Sequence, residues 1–431
     1  MKKTHFLNLV AAAAAAACVL PAGAANIVLI DSSNSFSSSP NGAAALFAFQ
    51  KAANYWNQTL TNNVTVNIEI GFKALNPGVL GQAGSESRVV STADVYAGLA
   101  ATGTTALDAI AVANLSKLNA GGGVSMRTNQ FYDVANKIGV ADNITTLRSG
   151  NLNINNYLDV NQSVIKALGL TSKVAPLSKY DASITFSNQF AFDFDPTNGV
   201  TAGSYDFTSV AVHELGHALG FVSGVDTFDL VTHGKGPYAS AFENGDFGTK
   251  NITDWAIGST LDLFRYGNAL DPDGKHATLQ WSANRAAFFS VDGNNVFSIG
   301  DASNQEAATF STGRYTGDGQ QASHWKDNVA FVDPDSGGAC IQSTRAIGIM
   351  DPTMSPCTAG SVSRNDIAAF DALGWNTNID ALADKAYSVD TAAIYKMSGL
   401  AMAVPEPSTY AQLGLGLMLL AASLRARRRQ G

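Results

Sequence analysis

Apolar and polar residues alternate from 64 to 72: Val64, Val66, Ile68, Ile70 and Phe72 are separated by Thr65, Asn67, Glu69 and Gly71. That period predicts a half-buried strand. Upstream, Leu46, Phe49, Ala53, Trp56 and Leu60 recur at three- and four-residue steps, the spacing of an amphipathic helix. Residues 26–30 read as a short strand, so this part of the chain runs strand–helix–strand. Residues 75–203 hold no dominant period; Gly121, Gly122 and Gly123 and Asn-rich stretches mark loops there. Asp193, Asp195 and Asn198 have the residue types of a calcium loop, but Asp195-Pro196 fits a turn better. No internal repeat is present.

Two further apolar runs lie near the ends. Residues 6–20 follow Lys2 and Lys3 and precede Pro21-Ala22-Gly23-Ala24. Basic region, apolar region and small-residue site are the parts of a secretory signal, assigned to 1–24. Residues 410–424 are apolar and lead into Arg425, Arg427, Arg428 and Arg429. As a helix this run is about 22 Å long, short of the roughly 30 Å hydrocarbon core. It is expected to act as a transmembrane helix that tethers the chain transiently, its arginines on the cytoplasmic side.

Charge sharpens this picture. Only 14% of residues are charged, well under the roughly 25% usual in soluble domains. Without the two leader lysines and four tail arginines, 21 basic groups face 35 acidic ones. Such a body repels phosphate backbones, which excludes nucleic acid as a partner. Of three cysteines, Cys18 leaves with the signal, and Cys340 and Cys357 remain as an even pair in an oxidising setting. A disulfide between them is expected.

The candidate chemistry is concentrated in residues 209–220. His213 and His217 are one helical turn apart, so both imidazoles leave the same helix face. That is the H-E-x-x-H arrangement for Zn²⁺, with Asp206 or Thr208 able to cap the helix start and Gly220 able to end it. Glu214, between the histidines, has the chemistry of a general base for water attack on a peptide carbonyl.

Two resemblances extend this reading. Val404-Pro405-Glu406-Pro407-Ser408-Thr409, the apolar run and the arginine cluster resemble the PEP-CTERM sorting signal. That likeness implies a Gram-negative exporter and processing near Pro405, Glu406 and Pro407 by an exosortase-type membrane protease. Separately, the segment from His213 to Gly220 resembles the metzincin zinc-peptidase motif H-E-x-x-H-x-x-G. Most metzincins take a third ligand three residues after that glycine, where this chain has Ser223, a poor zinc ligand. In the leishmanolysin-like branch an insertion delays the third histidine, and His324 is similar to it. Asp226, or Glu243 in a His₂Glu set, are the competing ligands; His233 and His276 lie in Gly- or Asp-rich loops. Met350, within Gly348-Ile349-Met350-Asp351-Pro352-Thr353, resembles the Met-turn, and residues 366–375 resemble the closing helix.

The resemblance implies an α+β, metzincin-like zincin catalytic domain. Its parts are an upper subdomain at 25–222, an insertion at 223–323 and a lower subdomain at 324–376. A linker at 377–403 and the sorting signal at 404–431 follow. The implied activity is that of an exported endopeptidase with one catalytic Zn²⁺, held by His213, His217 and His324. Its partners are a protein or peptide substrate and the export machinery, and its place is the periplasm, the cell surface or the medium. A second reading from another class is a non-catalytic surface or biofilm-matrix protein that retains the zincin fold. Glu214 favours the enzyme, because a structural zinc site needs no general base.

Overall fold

The computed structural model describes residues 24–397 apart from 272, 273, 275, 300–305 and 328–345. The first elements are β1 (Asn26–Ile30), α1 (Gly42–Thr59) and β2 (Thr65–Phe72), the strand–helix–strand that the hydrophobic pattern predicts. β3 (Gly81–Ser85), β4 (Met126–Asn129), β5 (Thr145–Arg148), β6 (Ala182–Phe186) and α2 (Phe207–Ala218) follow. Next come β7 (Arg265–Leu270), β8 (Ala277–Gln280), β9 (Ala287–Phe289), β10 (Thr309–Phe310) and α3 (Arg364–Ala372).

A four-stranded sheet has the order β1–β2–β6–β3. Its first three strands are parallel, and β3 is antiparallel to β6 at one edge. Val66, Ile68, Ile70 and Phe72 are buried, as their alternation requires. α1 packs against α2, and the Trp56 indole N–H donates to Val212 O at 3.2 Å. Phe186 lies between Phe49 and Phe207, with ring centroids 4.8 and 4.7 Å away. β3 has the sequence Gly-Gln-Ala-Gly-Ser and shows no apolar alternation; five register pairs with β6 make it a strand.

A six-stranded sheet has the order β10–β9–β7–β8–β4–β5. β8 joins β4 in parallel, Leu279 opposite Met126 and Gln280 opposite Arg127, while the other neighbours are antiparallel. Residues 223–323, expected as an insertion, therefore share a sheet with residues 126–148. Arg265 is fully buried under this sheet. Its guanidinium donates to Gln280 O, Ala322 O and Ser311 O and lies over the Phe310 ring. A buried cation needs such saturation, and here it ties the sheet to the segment just before His324.

The expected linker needs correcting over its described part. Ser388–Asp390 pairs with Ser361–Ser363, and the helix Thr391–Met397 buries Thr391 and Ile394. The Thr391 hydroxyl donates to Asp206, the cap of α2. A segment whose polar groups are consumed this way is part of the body, not a spacer. The calls on Cys340, on the leader and on residues 404–431 fall outside the described residues. Among the described residues no helix is long and apolar enough to cross a membrane.

Asp371 of α3 and Asp108, from the helix Ala106–Ala113, form a buried acid pair. The Thr105 hydroxyl lies 2.8 Å from Asp371 Oδ2 and 3.1 Å from Asp108 Oδ2. One hydroxyl proton cannot serve both carboxylates. Burial, and then the charge of Asp108, push Asp371 up to about 8. A folded pKa above the unfolded value of about 3.9 means that stability is full below pH 4 and declines toward pH 8. Asp371→Asn removes that penalty. Melting curves should show a gain of about 2–5 °C at pH 8 and almost none at pH 4; an equal shift at both would contradict the assignment.

Candidate metal centre

α2 is fixed at both ends. Asp206 is its N-cap, accepting from Thr208 N at 2.9 Å and from the Ser209 hydroxyl. Gly220, at φ +111°, closes the C-terminus. Phe221 N bonds to Gly216 O and Gly220 N to His217 O, the paired bonds of a Schellman ending. Of the two caps the sequence offered, Asp206 is used. The helix it starts carries both histidines toward the cleft.

Three imidazoles converge there. His217 Nε2 lies 3.1 Å from His213 Nε2 and 3.2 Å from His324 Nε2. Each ring is oriented by its other nitrogen. His213 Nδ1 donates to Ile349 O at 2.8 Å, His217 Nδ1 to Phe221 O at 2.8 Å and His324 Nδ1 to Gln321 O at 3.2 Å. Carbonyl oxygens only accept, so each Nδ1 carries a proton. Burial lowers all three imidazole pKa values, His217 to about 3, which keeps the rings neutral. Each Nε2 therefore presents a lone pair, and three lone pairs meet with no proton between them. Such an arrangement repels itself unless a cation sits at its centre. Tetrahedral ligation with bonds near 2.0–2.1 Å sets nitrogens about 3.3 Å apart, close to the two separations from His217, and all three ligand atoms lie within 4.8 Å of one another. Carbonyl partners on the far nitrogens are the usual support of metal-ligating histidines. The trio can hold a metal ion.

Glu214 is buried beside them and lines the same open cleft of ≈1380 Å³. Burial pushes its carboxyl up to about 8; a cation on the neighbouring imidazoles opposes that shift. Met350 is fully buried against α2, and a β-carbon at Gly216 would lie 2.3 Å from its sulfur. Glycine inside the His-Glu-Leu-Gly-His run thus makes room for the methionine.

The competing ligands have other work. Ser223 donates its hydroxyl to Asp262 at 2.5 Å. Glu243 accepts from His233 Nδ1 at 2.6 Å, and the His233 ring stacks on Tyr132. His276 lies 3.9 Å from Asp271. Asp226 accepts from Ala322 N, Ser323 N and the Ser323 hydroxyl, so it shapes the turn that delivers His324. At the calcium candidate, Asp193 accepts from Asp195 N, Thr201 N and the Thr201 hydroxyl. Asp195 caps the short Pro196–Asn198 turn.

One residue central to the site was missed. Asp366 accepts from Ile349 N at 2.8 Å, Met350 N at 3.3 Å, Ser363 N at 2.7 Å and the Trp325 indole at 2.8 Å. It thereby holds the carbonyl-bearing partner of His213 and the neighbour of His324 with a single carboxylate. Ser363 and Asp366 form a capping box for α3, and that Ser-x-x-Asp spacing was the available signal. A β-carbon at Gly348 would lie 2.2 Å from this carboxylate, which accounts for glycine there. Cys357 lines the cleft, and its sulfur accepts from Gly203 N at 3.2 Å.

Residues 403–429 match the PEP-CTERM protein-sorting motif. The motif marks the chain for export, surface sorting and recognition by an exosortase-type processing enzyme. No curated protein and no solved structure matches the chain.

Proposed function

We propose that this chain is an exported zinc-dependent endopeptidase of metzincin-like, leishmanolysin-like design. The observation that carries the reading is the convergence of three Nε2 lone pairs beside a buried carboxylate in an open cleft. Three neutral imidazoles are a donor set suited to catalytic Zn²⁺, which leaves a fourth position open. When bound, zinc supplies Lewis acidity toward a carbonyl oxygen. Glu214 takes the proton from the attacking water and returns it to the departing amine. His213, His217 and His324 stay neutral throughout, their Nδ1 protons held by backbone carbonyls. The cleft exceeds the roughly 300–1,000 Å³ of small-molecule sites, in keeping with a polypeptide substrate.

Metal removal tests the reading. Purified chain should carry one zinc and cut casein, lose both on dialysis against 1,10-phenanthroline, and regain both with one equivalent of Zn²⁺. Hydrolysis that continues in zinc-free protein would sink the proposal.

A further inference from the structure

β3 holds two glycines, Gly81 and Gly84, within five residues. Glycine weakens a strand interior and often marks a close approach by another group. Neither has the left-handed backbone that favours glycine, so conformational freedom explains neither. Their surroundings differ. A β-carbon on Gly84 would meet only Ser183 Oγ, at 3.5 Å, an ordinary contact. One on Gly81 would lie 2.9 Å from Glu214 Oε1, 2.9 Å from Val210 Cγ1 and 3.0 Å from Glu214 Cγ.

The empty side-chain position at 81 is therefore where the Glu214 carboxylate sits. Val210, one helical turn before Glu214, closes the other side of that seat. The strand cannot back away, because β3 is registered on β6 and the Ser85 hydroxyl donates to His217 O at 3.0 Å. We infer that Gly81 is the positioning residue for the general base, its bare α-carbon fixing the Glu214 carboxylate in the cleft. The inference rests on the proposed hydrolytic role of Glu214. A methyl group at 81 turns that side chain aside, and its three nearest neighbours belong to Glu214 and Val210, not to a histidine. Turnover should fall while metal binding and folding persist.

The test uses zinc-loaded wild type, Gly81→Ala, Gly84→Ala, Glu214→Gln and the double variant Gly81→Ala/Glu214→Gln. Zinc content, melting temperature, kcat and KM are measured on one fluorogenic peptide that wild type cuts. Gly81→Ala should keep its zinc and its melting temperature, hold KM, and lose at least about tenfold in kcat. Gly84→Ala should stay within about twofold of wild type. In the Glu214→Gln background, followed at high enzyme concentration, Gly81→Ala should change the residual rate by less than about twofold, because the group it displaces is already silent. Wild-type kcat in Gly81→Ala, equal losses in both backgrounds, an equal loss in Gly84→Ala, or loss of zinc or folding in Gly81→Ala would each overturn the inference. A zinc-bound wild type that cuts no peptide overturns the endopeptidase reading instead.

Discussion

Glu214→Gln should lower kcat for peptide hydrolysis by about 10²- to 10⁴-fold while the protein keeps its zinc and its melting temperature. The carboxylate is buried on α2, and that burial raises its pKa. An acid buried in the wall of a cleft, beside three converging imidazoles, is poised for a partner from solution. The amide of glutamine keeps the shape between Gly81 and Val210 but cannot take up a proton at neutral pH. Glu214→Ala should be equally inactive, which separates the loss of the base from any residual polarity of the amide. Metal analysis, melting curves and single-peptide kinetics on both variants check the expectation. Turnover at the wild-type rate in either one, with zinc bound, would remove Glu214 from the chemistry.

The sequence made some of this site legible and hid the rest, for physical reasons. His213, Glu214 and His217 lie on one helix, where a spacing of four fixes a shared face before any tertiary contact is known. β2 and α1 were equally plain, because burial on one side imposes a period. β3 was invisible: its five residues carry no large apolar side chain, and only pairing with β6 defines it. The joining of β8 to β4 was hidden too, since it pairs Leu279 with Met126 across a long stretch of chain, and local pattern holds no record of such pairing. Asp366 and Asp226 illustrate a third limit. In the sequence Asp366 only opens the closing helix and Asp226 is a competing ligand, yet each spends its oxygens on backbone groups of a distant segment that positions a histidine. Composition cannot reveal which N–H groups a carboxylate will find.

His324→Ala should lose zinc as severely as His213→Ala, although His324 lies 107 residues beyond His217. Each substitution removes one of the two imidazoles whose Nε2 atoms stand 3.1–3.2 Å from His217 Nε2. A catalytic zinc needs three protein ligands with one position left open, so two cannot hold it tightly. Distance along the chain costs little here, because the intervening residues are themselves folded. They fill four strands of the second sheet, and Arg265 anchors Ala322 O, two residues before the histidine. Trp325 N then bonds to Met350 O, and its indole to Asp366, fixing the other side of His324. Asp226→Asn makes the informative contrast. Its carboxylate holds the 322–323 backbone and no lone pair of it joins the histidine trio. The variant should still bind one zinc, with affinity weakened by about 10- to 100-fold, the usual cost of losing a supporting contact behind a ligand. Competition with a chromophoric chelator measures all three variants on one scale. Zinc abolished in Asp226→Asn but retained in His324→Ala would mean that the third ligand is local and that His324 merely packs beside it.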